Sequence, residues 1–514
     1  MPATLSNSRK ELLEKLLRGR ATSMPAEGGI VRRPEWSEAP ISYGEQQVWL
    51  HSQYSTEVQL YNEPVTVHRY GTFDRLAMEM AFTEIIRRHE AWRTTFGWKR
   101  TTLVQRIQPL PQHIEIPFVD VSGLPVESRE ESALKIAGAD ALAPFDLEVG
   151  PMYRPRLIRF SEDEHRLYLA LHHIIFDGVS LYRVFLPELQ TLYEAFSQRQ
   201  PSPLEPLPLQ YGDYAVWHRQ WVEEIRPVQM PYWRKKLHGV ERRDIIRPDR
   251  RGATQSFRGA METLALDVPT TQKLKELSQR AGVTLFMTLL AVFHALLWAY
   301  SREEDLVTGG TSAGRHRSET ENMLGFFLNT IVLRTDLSGN PTFLELIERG
   351  KEELINSLDH DGVPFEDLVK ELAPQRDGGV NPFFQASFSF EPPLAELQPN
   401  WRFTQMDIET GAAKFDLHLE LDERKEGIIG RFIYSAERFD RKTIQGMLES
   451  WRNIICKVVT DPSVRLSELA PTLADLRPTP TEAVPNIATA VQPPPERFAW
   501  LHRFRNFLSR DNFN

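Results

Sequence analysis

The chain has 514 residues, 41% hydrophobic, 10% aromatic and 25% charged; that balance excludes a disordered or membrane-dominated polypeptide and suffices for a large core. The length exceeds one usual hydrophobic core and predicts two sub-domains. A formal net charge of -9 argues against a general nucleic-acid or anionic-membrane surface and favours protein or small-molecule partners, while a single cysteine, Cys456, excludes an internal disulfide framework and a cysteine-based metal cluster.

The first 20 residues lack an apolar leader and read as a charged, Leu-containing helix centred on 9–17, followed by the flexible Ala26-Glu27-Gly28-Gly29. Residues 1–35 are therefore an extension and a candidate docking element, and a reducing, cytoplasmic setting fits the cysteine usage. Apolar Leu76, Met80, Ile85 and Ile86 among charged neighbours predict a half-buried helix over 73–89, with a strand over 92–98. Strands over 153–160 and 166–172, separated by Ser161-Glu162-Asp163-Glu164-His165, form a hairpin candidate. Leu181, Phe185, Leu189, Leu192 and Phe196 then recur at helical spacing. Prolines at 201, 203, 206 and 208 lead into 211–217, read as part of the connection between the halves.

The second half predicts helices near 270–280, 284–300, 342–358 and 441–459, and strands near 304–310, 330–336, 384–390, 414–421 and 427–435, hence mixed α and β layers. The apolar run 285–300 is shorter than the roughly 20 residues a bilayer span requires and contains His294; with Thr284 as cap it reads as a buried core helix. Cys456, among Ile454, Ile455, Val458 and Val459, reads as a small buried apolar side chain. After 470, repeated prolines mark an extended linker, with a short aromatic-basic tail over 498–513.

The sequence His172-His173-Ile174-Ile175-Phe176-Asp177-Gly178 carries the strongest chemistry, placed after an apolar strand and before an amphipathic helix. Alternating strand side chains direct at most one of the two histidines into a given cavity and leave the other to hold the turn. Histidine handles protons near neutral pH, Asp177 can orient the turn or compensate a cation, and Gly178 permits backbone geometry closed to larger residues. Without wider context, core histidines satisfied by hydrogen bonds remain the commoner explanation of such a pair. No further ligand pattern closes a zinc site.

Seven separated segments give that context. They are Ser42-Tyr43-Gly44-Glu45-Gln46-Gln47-Val48-Trp49-Leu50; Arg88-His89-Glu90-Ala91-Trp92-Arg93-Thr94-Thr95-Phe96; the His-His segment; Tyr211-Gly212-Asp213-Tyr214-Ala215-Val216-Trp217; Leu324-Gly325-Phe326-Phe327-Leu328-Asn329-Thr330, ending in Arg334; Asp361-Gly362-Val363-Pro364-Phe365-Glu366; and Arg376-Asp377 with Asn381-Pro382-Phe383. In this order, over 36–470, the chain resembles the condensation domain of a non-ribosomal peptide synthetase. Glu45, Gln47 and the centre 378–380 depart from commoner family choices.

The resemblance implies an α/β fold of two chloramphenicol acetyltransferase-like lobes, a V-shaped pseudo-dimer in one monomeric chain with a central tunnel. The expected divisions are an N-terminal lobe over 36–218, a C-terminal lobe over 219–470 and a linker and tail over 471–514. Donor and acceptor carrier proteins would approach the two ends, presenting thioesters on phosphopantetheine, with no cofactor held by this chain, no nucleic acid and no membrane. His173 is the implied catalytic residue, supported by His172, Asp177, Gly178, Arg315 and Asn329. Arg315, in Ser312-Ala313-Gly314-Arg315, resembles the family arginine that pairs with the motif aspartate, implying an Asp177–Arg315 salt bridge of structural role. The Gly178 region and the following helix N-terminus are expected to favour developing negative charge.

The implied activity is amide formation, or ester formation with a hydroxyl acceptor, in non-ribosomal peptide or hybrid polyketide-peptide biosynthesis. Tyr61-Asn62-Glu63-Pro64 with 172–180 resemble domains that follow polyketide modules. An epimerising relative also carries paired histidines, but the segments 325–330 and 363–366 favour condensation; heterocyclisation relatives replace the histidines with aspartates. Two alternatives stand beside these: a coenzyme A- or carrier-dependent acyltransferase acting on a soluble acceptor, and a non-catalytic scaffold that docks carriers.

Overall fold

The computed structural model describes residues 29–469 except 35, 55–57, 241–243, 251–256, 374–380 and 406–407. The expected helix over 9–17, the linker and tail after 470, and Arg376 and Asp377 lie outside the described residues.

Three sheets organise the described chain. A small antiparallel sheet has the order β1 (Glu38–Pro40), β4 (Thr102–Ile107), β3 (Thr94–Lys99). A five-stranded sheet has the order β12 (Trp401–Thr404), β2 (Asn62–Tyr70), β7 (Glu164–His172), β6 (Tyr153–Ser161), β5 (Phe118–Asp120). A six-stranded sheet has the order β10 (Asn329–Asp336), β9 (Asp305–Ser312), β11 (Ala386–Phe390), β13 (Leu417–Arg424), β14 (Gly427–Ser435), β8 (Gly259–Leu266). Strand β12 comes from the second half of the chain yet pairs with β2, matching Trp401 to Arg69 and Thr404 to Thr66. That crossing ties the two halves together by backbone hydrogen bonds.

The hairpin of β6 and β7 forms as its alternation predicts, with Leu157 opposite Leu167 and Tyr153 opposite Leu171. Inward residues of this sheet pack on helices Arg75–Arg88 and Leu186–Ser197 to make one core, which also takes in Met323, Leu324, Phe326 and Phe327 from the second half. A second core surrounds helix Leu285–Ser301, whose apolar residues are buried on nearly every side and whose Thr284 caps the first turn through Met287 N. Among the described residues no single helix is long and apolar enough to cross a membrane.

Two local expectations are corrected, for 92–98 and for Cys456. Residues 92–98 do not form one strand, because Glu90–Arg93 first make a 3-10 turn and β3 begins at Thr94. The connection expected at 211–217 opens a helix, Tyr211–Leu237, that runs unbroken through Pro227 and Pro231, with Gln210 N donating to Asp213 Oδ2 at 2.9 Å at its start. Cys456 is exposed, because the buried stripe of helix Arg441–Thr460 runs through Trp451, Ile454, Ile455 and Val458 and position 456 turns away from it.

His294 sits in the second core, hydrogen-bonded through Nε2 to Thr308 Oγ1 at 3.1 Å, and burial pushes its pKa down to about 3 from 6.5. Between those two values the unfolded chain binds one proton more than the folded chain, so this residue makes stability fall as pH falls, by about 1.4 kcal/mol per pH unit. Urea unfolding of wild type and His294→Gln at stepped pH is expected to show the variant with the shallower acid slope across that window.

Candidate active site

Strand β7 ends on His172, opposite Asn62 of β2. The chain then tightens into a 3-10 turn, His173–Ile175, passes through Asp177 and Gly178, and enters a π-helical turn, Ser180–Phe185, ahead of helix Leu186–Ser197. The two histidines consequently point into different surroundings.

His172 is buried against Phe145 and Tyr61. Its Nδ1 accepts from Ile174 N at 3.3 Å. Ser52 Oγ, which donates to Val48 O, lies 3.4 Å from His172 Nε2 and accepts its proton. Burial, then the charge of nearby His173, pushes its pKa down to about 3. It is a neutral strut for the turn.

His173 carries the opposite tautomer. Its Nδ1 lies 2.9 Å from the Phe176 carbonyl oxygen, which can only accept, so Nδ1 bears the proton and Nε2 keeps a free lone pair. The ring stacks on Phe176, meets the edge of Phe326 and borders a cavity of about 840 Å³ lined by both halves of the chain. Burial and, after it, the positive charge of Lys414 lower its pKa, while Glu63 opposes them. At neutral pH it is a proton acceptor.

Asp177 and Arg315 form an ion pair at 3.1 Å with both side chains fully buried. Asp177 Oδ1 also accepts from Ser180 N at 2.7 Å and Oδ2 from Phe327 N at 3.1 Å. Arg315 donates to Ser180 Oγ at 2.8 Å, to Met323 O at 3.1 Å and to Thr320 O, and its guanidinium lies 3.9 Å from the Phe327 ring centroid. Asn329 holds the 361–365 loop, donating to Asp361 O and Val363 O at 2.8 Å each and accepting from Phe365 N at 3.1 Å.

Gly178 lies against the second half of the chain. Its φ lies outside the left-handed region, but a Cβ would collide with the Glu391 carboxyl and come within 3.3 Å of Pro392 Cδ. The helix start beyond it is already capped by the Asp177 carboxylate, so that end offers less to a developing anion than the sequence implies. The charged residues lining the cavity include Glu63, Glu391, Lys414, Glu420 and Arg431. Of these the motif segments touch only Glu63, and nothing in the local sequence around Lys414 or Glu391 marks them as cavity residues.

His173 thus sits on a turn after β7 and borders a cavity lined by both halves of a chloramphenicol acetyltransferase-like α/β fold. The family model "Condensation domain" matches residues 37–475, and the chain belongs to the condensation-domain family of the non-ribosomal peptide synthetases. It is 39% identical over 436 residues to a linear gramicidin synthase polypeptide of Brevibacillus parabrevis, covering 84% of this chain and 8% of that protein. It is 32% identical over 477 residues to phosphinothricin tripeptide synthetase PhsC of Streptomyces viridochromogenes, covering 91% of this chain and 43% of that protein. The chain thus spans less than half the length of either relative. Among solved structures, the X-domain from teicoplanin biosynthesis superposes with a TM-score of 0.73 at 28% identity, covering 86% of this chain and 99% of that one. The first condensation domain of the calcium-dependent antibiotic synthetase shares the fold, with a TM-score of 0.72 at 19% identity, covering 84% and 99%.

Removing one member of a buried, fully bonded ion pair leaves an uncompensated charge and costs about 3–5 kcal/mol. Asp177→Ala and Arg315→Ala are each expected to lower the denaturation midpoint accordingly, measured by urea unfolding. An Asp177→Ala protein of wild-type stability would sink the structural role assigned to the pair.

Proposed function

We propose that this domain forms an amide bond between a carrier-bound acyl or peptidyl thioester and the amine of a carrier-bound acceptor, within non-ribosomal peptide or hybrid polyketide-peptide biosynthesis in the cytoplasm. The observation that carries this is the His173 tautomer: Nδ1–H is committed to Phe176 O, leaving Nε2 as the acceptor beside the cavity. His172, Asp177, Gly178, Arg315 and Asn329 act by holding that turn and its facing loops. The substrates arrive on the phosphopantetheine arms of donor and acceptor carrier proteins, so the chain itself supplies only protein groups. The lobes divide near residue 218, and one monomeric chain makes the whole pseudo-dimer.

An α-amino group has a reference pKa of about 7.7–8.0, so roughly 10–15% of it is already the free amine at pH 7 and a strong base is unnecessary. His173 positions the amine and takes its proton as the tetrahedral intermediate forms. An alcohol acceptor is far less acidic and leans harder on the base.

A second reading, a carrier- or enzyme-docking scaffold, is favoured by one comparison: another structure of the X-domain, similar to this chain at 28% identity and a TM-score of 0.72, is a complex with OxyB. Intact-protein mass spectrometry of loaded donor and acceptor carriers separates the two, because only an active domain moves the acyl group. Transfer to a soluble acceptor without an acceptor carrier would instead indicate the more general acyltransferase. His173→Ala is expected to slow amide formation by about 10²- to 10⁴-fold, with a larger loss for an alcohol acceptor. Because the His173 pKa is lowered, the acid limb of the wild-type rate should lie below the ordinary histidine value of 6.5; equal losses with both acceptors would count against the proton-accepting role.

A further inference from the structure

Condensation places two charges in the cavity at once. The acceptor nitrogen uses its lone pair to form the C–N bond, and the C=O π pair moves onto oxygen, giving an ammonium and an alkoxide. His173 Nε2 takes the ammonium proton. The alkoxide then collapses, the C–S bond breaks, and the leaving thiolate takes the proton from His173 to become a thiol. Until collapse, the oxygen carries negative charge in a site shielded from bulk water, where a fixed cation acts strongly.

The lining offers several cations, and most whose partners are described are already engaged. Arg431 on β14 joins Glu63 of β2 at 2.7 Å and Glu420 of β13 at 3.0 Å, and Lys275 pairs with Glu423. Lys414, three residues before β13, differs. Its Nζ lies 4.2 Å from the Tyr61 ring centroid, and it borders the same cavity as His173. Glu63 and Glu420, the two acids whose fields reach it, are both taken by Arg431, and no carboxylate among the described residues lies within ion-pair distance of it. Tyr61 is also the residue whose carbonyl accepts His173 N–H at 2.8 Å. One tyrosine therefore holds the lysine on its ring and the histidine on its backbone.

We propose that Lys414, seated on Tyr61 at the cavity that His173 also lines, is the cation that faces the alkoxide as it develops. Its charge also disfavours protonation of His173. The proposal rests on the condensation reading of the site. Burial lowers the Lys414 pKa to about 8, with Glu63 and Glu420 raising it and Arg431 lowering it, so the residue stays largely charged at neutral pH and titrates just above it. Lys414 is the second-largest influence on His173 after burial, and it lowers His172 as well. Among the other acids lining the cavity, Glu423 pairs with Lys275, Glu366 lies 3.7 Å from His51 Nε2, and Glu391 is pushed towards its neutral form by burial and by Glu420, Asp422 and Glu63.

Lys414→Met and Lys414→Arg separate charge from shape. With loaded carriers, Lys414→Met is expected to lose on the order of 10²-fold in turnover, the usual effect of removing one group that stabilises an oxyanion, while Lys414→Arg keeps most of the rate. Losing the neighbouring cation raises the His173 pKa, so the acid limb of the residual Lys414→Met activity moves to higher pH. The wild-type decline near the lysine's value of about 8 disappears in Lys414→Arg, because arginine does not titrate there. Independently of turnover, ¹³C-histidine NMR, with His173→Gln to assign the signal, is expected to show the His173 titration shifted upward in Lys414→Met. Thermal melts confirm that both variants fold. Wild-type turnover in Lys414→Met, or an unmoved His173 titration, overturns the proposal. A wild-type protein that moves no acyl group between carriers instead defeats the condensation reading, and the NMR titration then decides the Lys414–His173 coupling by itself.

Discussion

The buried pair of Asp177 and Arg315 is the constraint on which the site depends. An aspartate and an arginine removed from water both lose solvation, and their attraction repays this only when every remaining donor and acceptor is used. Here they are used productively: Asp177 gathers Ser180 N and Phe327 N, and Arg315 gathers Ser180 Oγ, Met323 O and Thr320 O. One end of this network is the turn that carries His173, and the other is the loop that carries Leu324 to Phe327. The ion pair thereby sets the distance between the two halves at the level of the histidine.

Other segments join the same seam by similar means. Leu324 N donates to His89 Nδ1 at 3.3 Å, Gly212 N donates to Glu90 Oε1 at 2.8 Å, and Tyr211 OH donates to Phe326 O. His89 in turn shares Glu188 with Arg88, at 2.9 and 3.1 Å. Thus most of the separated sequence segments converge on one polar belt around the 324–327 loop. Their tryptophans and phenylalanines fill the core behind it. Elsewhere on the cavity wall, Glu63, Glu420 and Arg431 compensate one another and Lys414 is set apart on Tyr61.

Much of this was legible in the chain. The hairpin ending on His172 follows from alternation in two short apolar runs, and the second-half helices and strands follow from strong periodicity bounded by Thr284, Thr342 and similar caps. Less legible were places where tertiary contact overrides local pattern. Aromatic residues at 92–98 resemble a strand, but Trp92 is drawn into a turn by packing on Phe185. Tyr211 follows a proline-rich run, yet its ring fits against Gly325, where a Cβ would clash, and a long helix starts there.

The amino-acid sequence by itself determined the mixed α/β layers and the order of the chemistry-bearing segments, because these rest on short-range periodicity and on residue types at fixed spacing; His173 was set apart from His172 only through the family resemblance. Only the tertiary structure decided which histidine faces the cavity and with which tautomer, because that depends on a carbonyl three residues away adopting one turn and on Ser52 standing behind its neighbour. It alone placed Lys414 near a histidine more than 200 positions earlier in the chain, since electrostatic proximity between distant segments leaves no mark on local sequence. The same holds for Gly178, against which only the fold brings the Glu391 carboxyl of the far half.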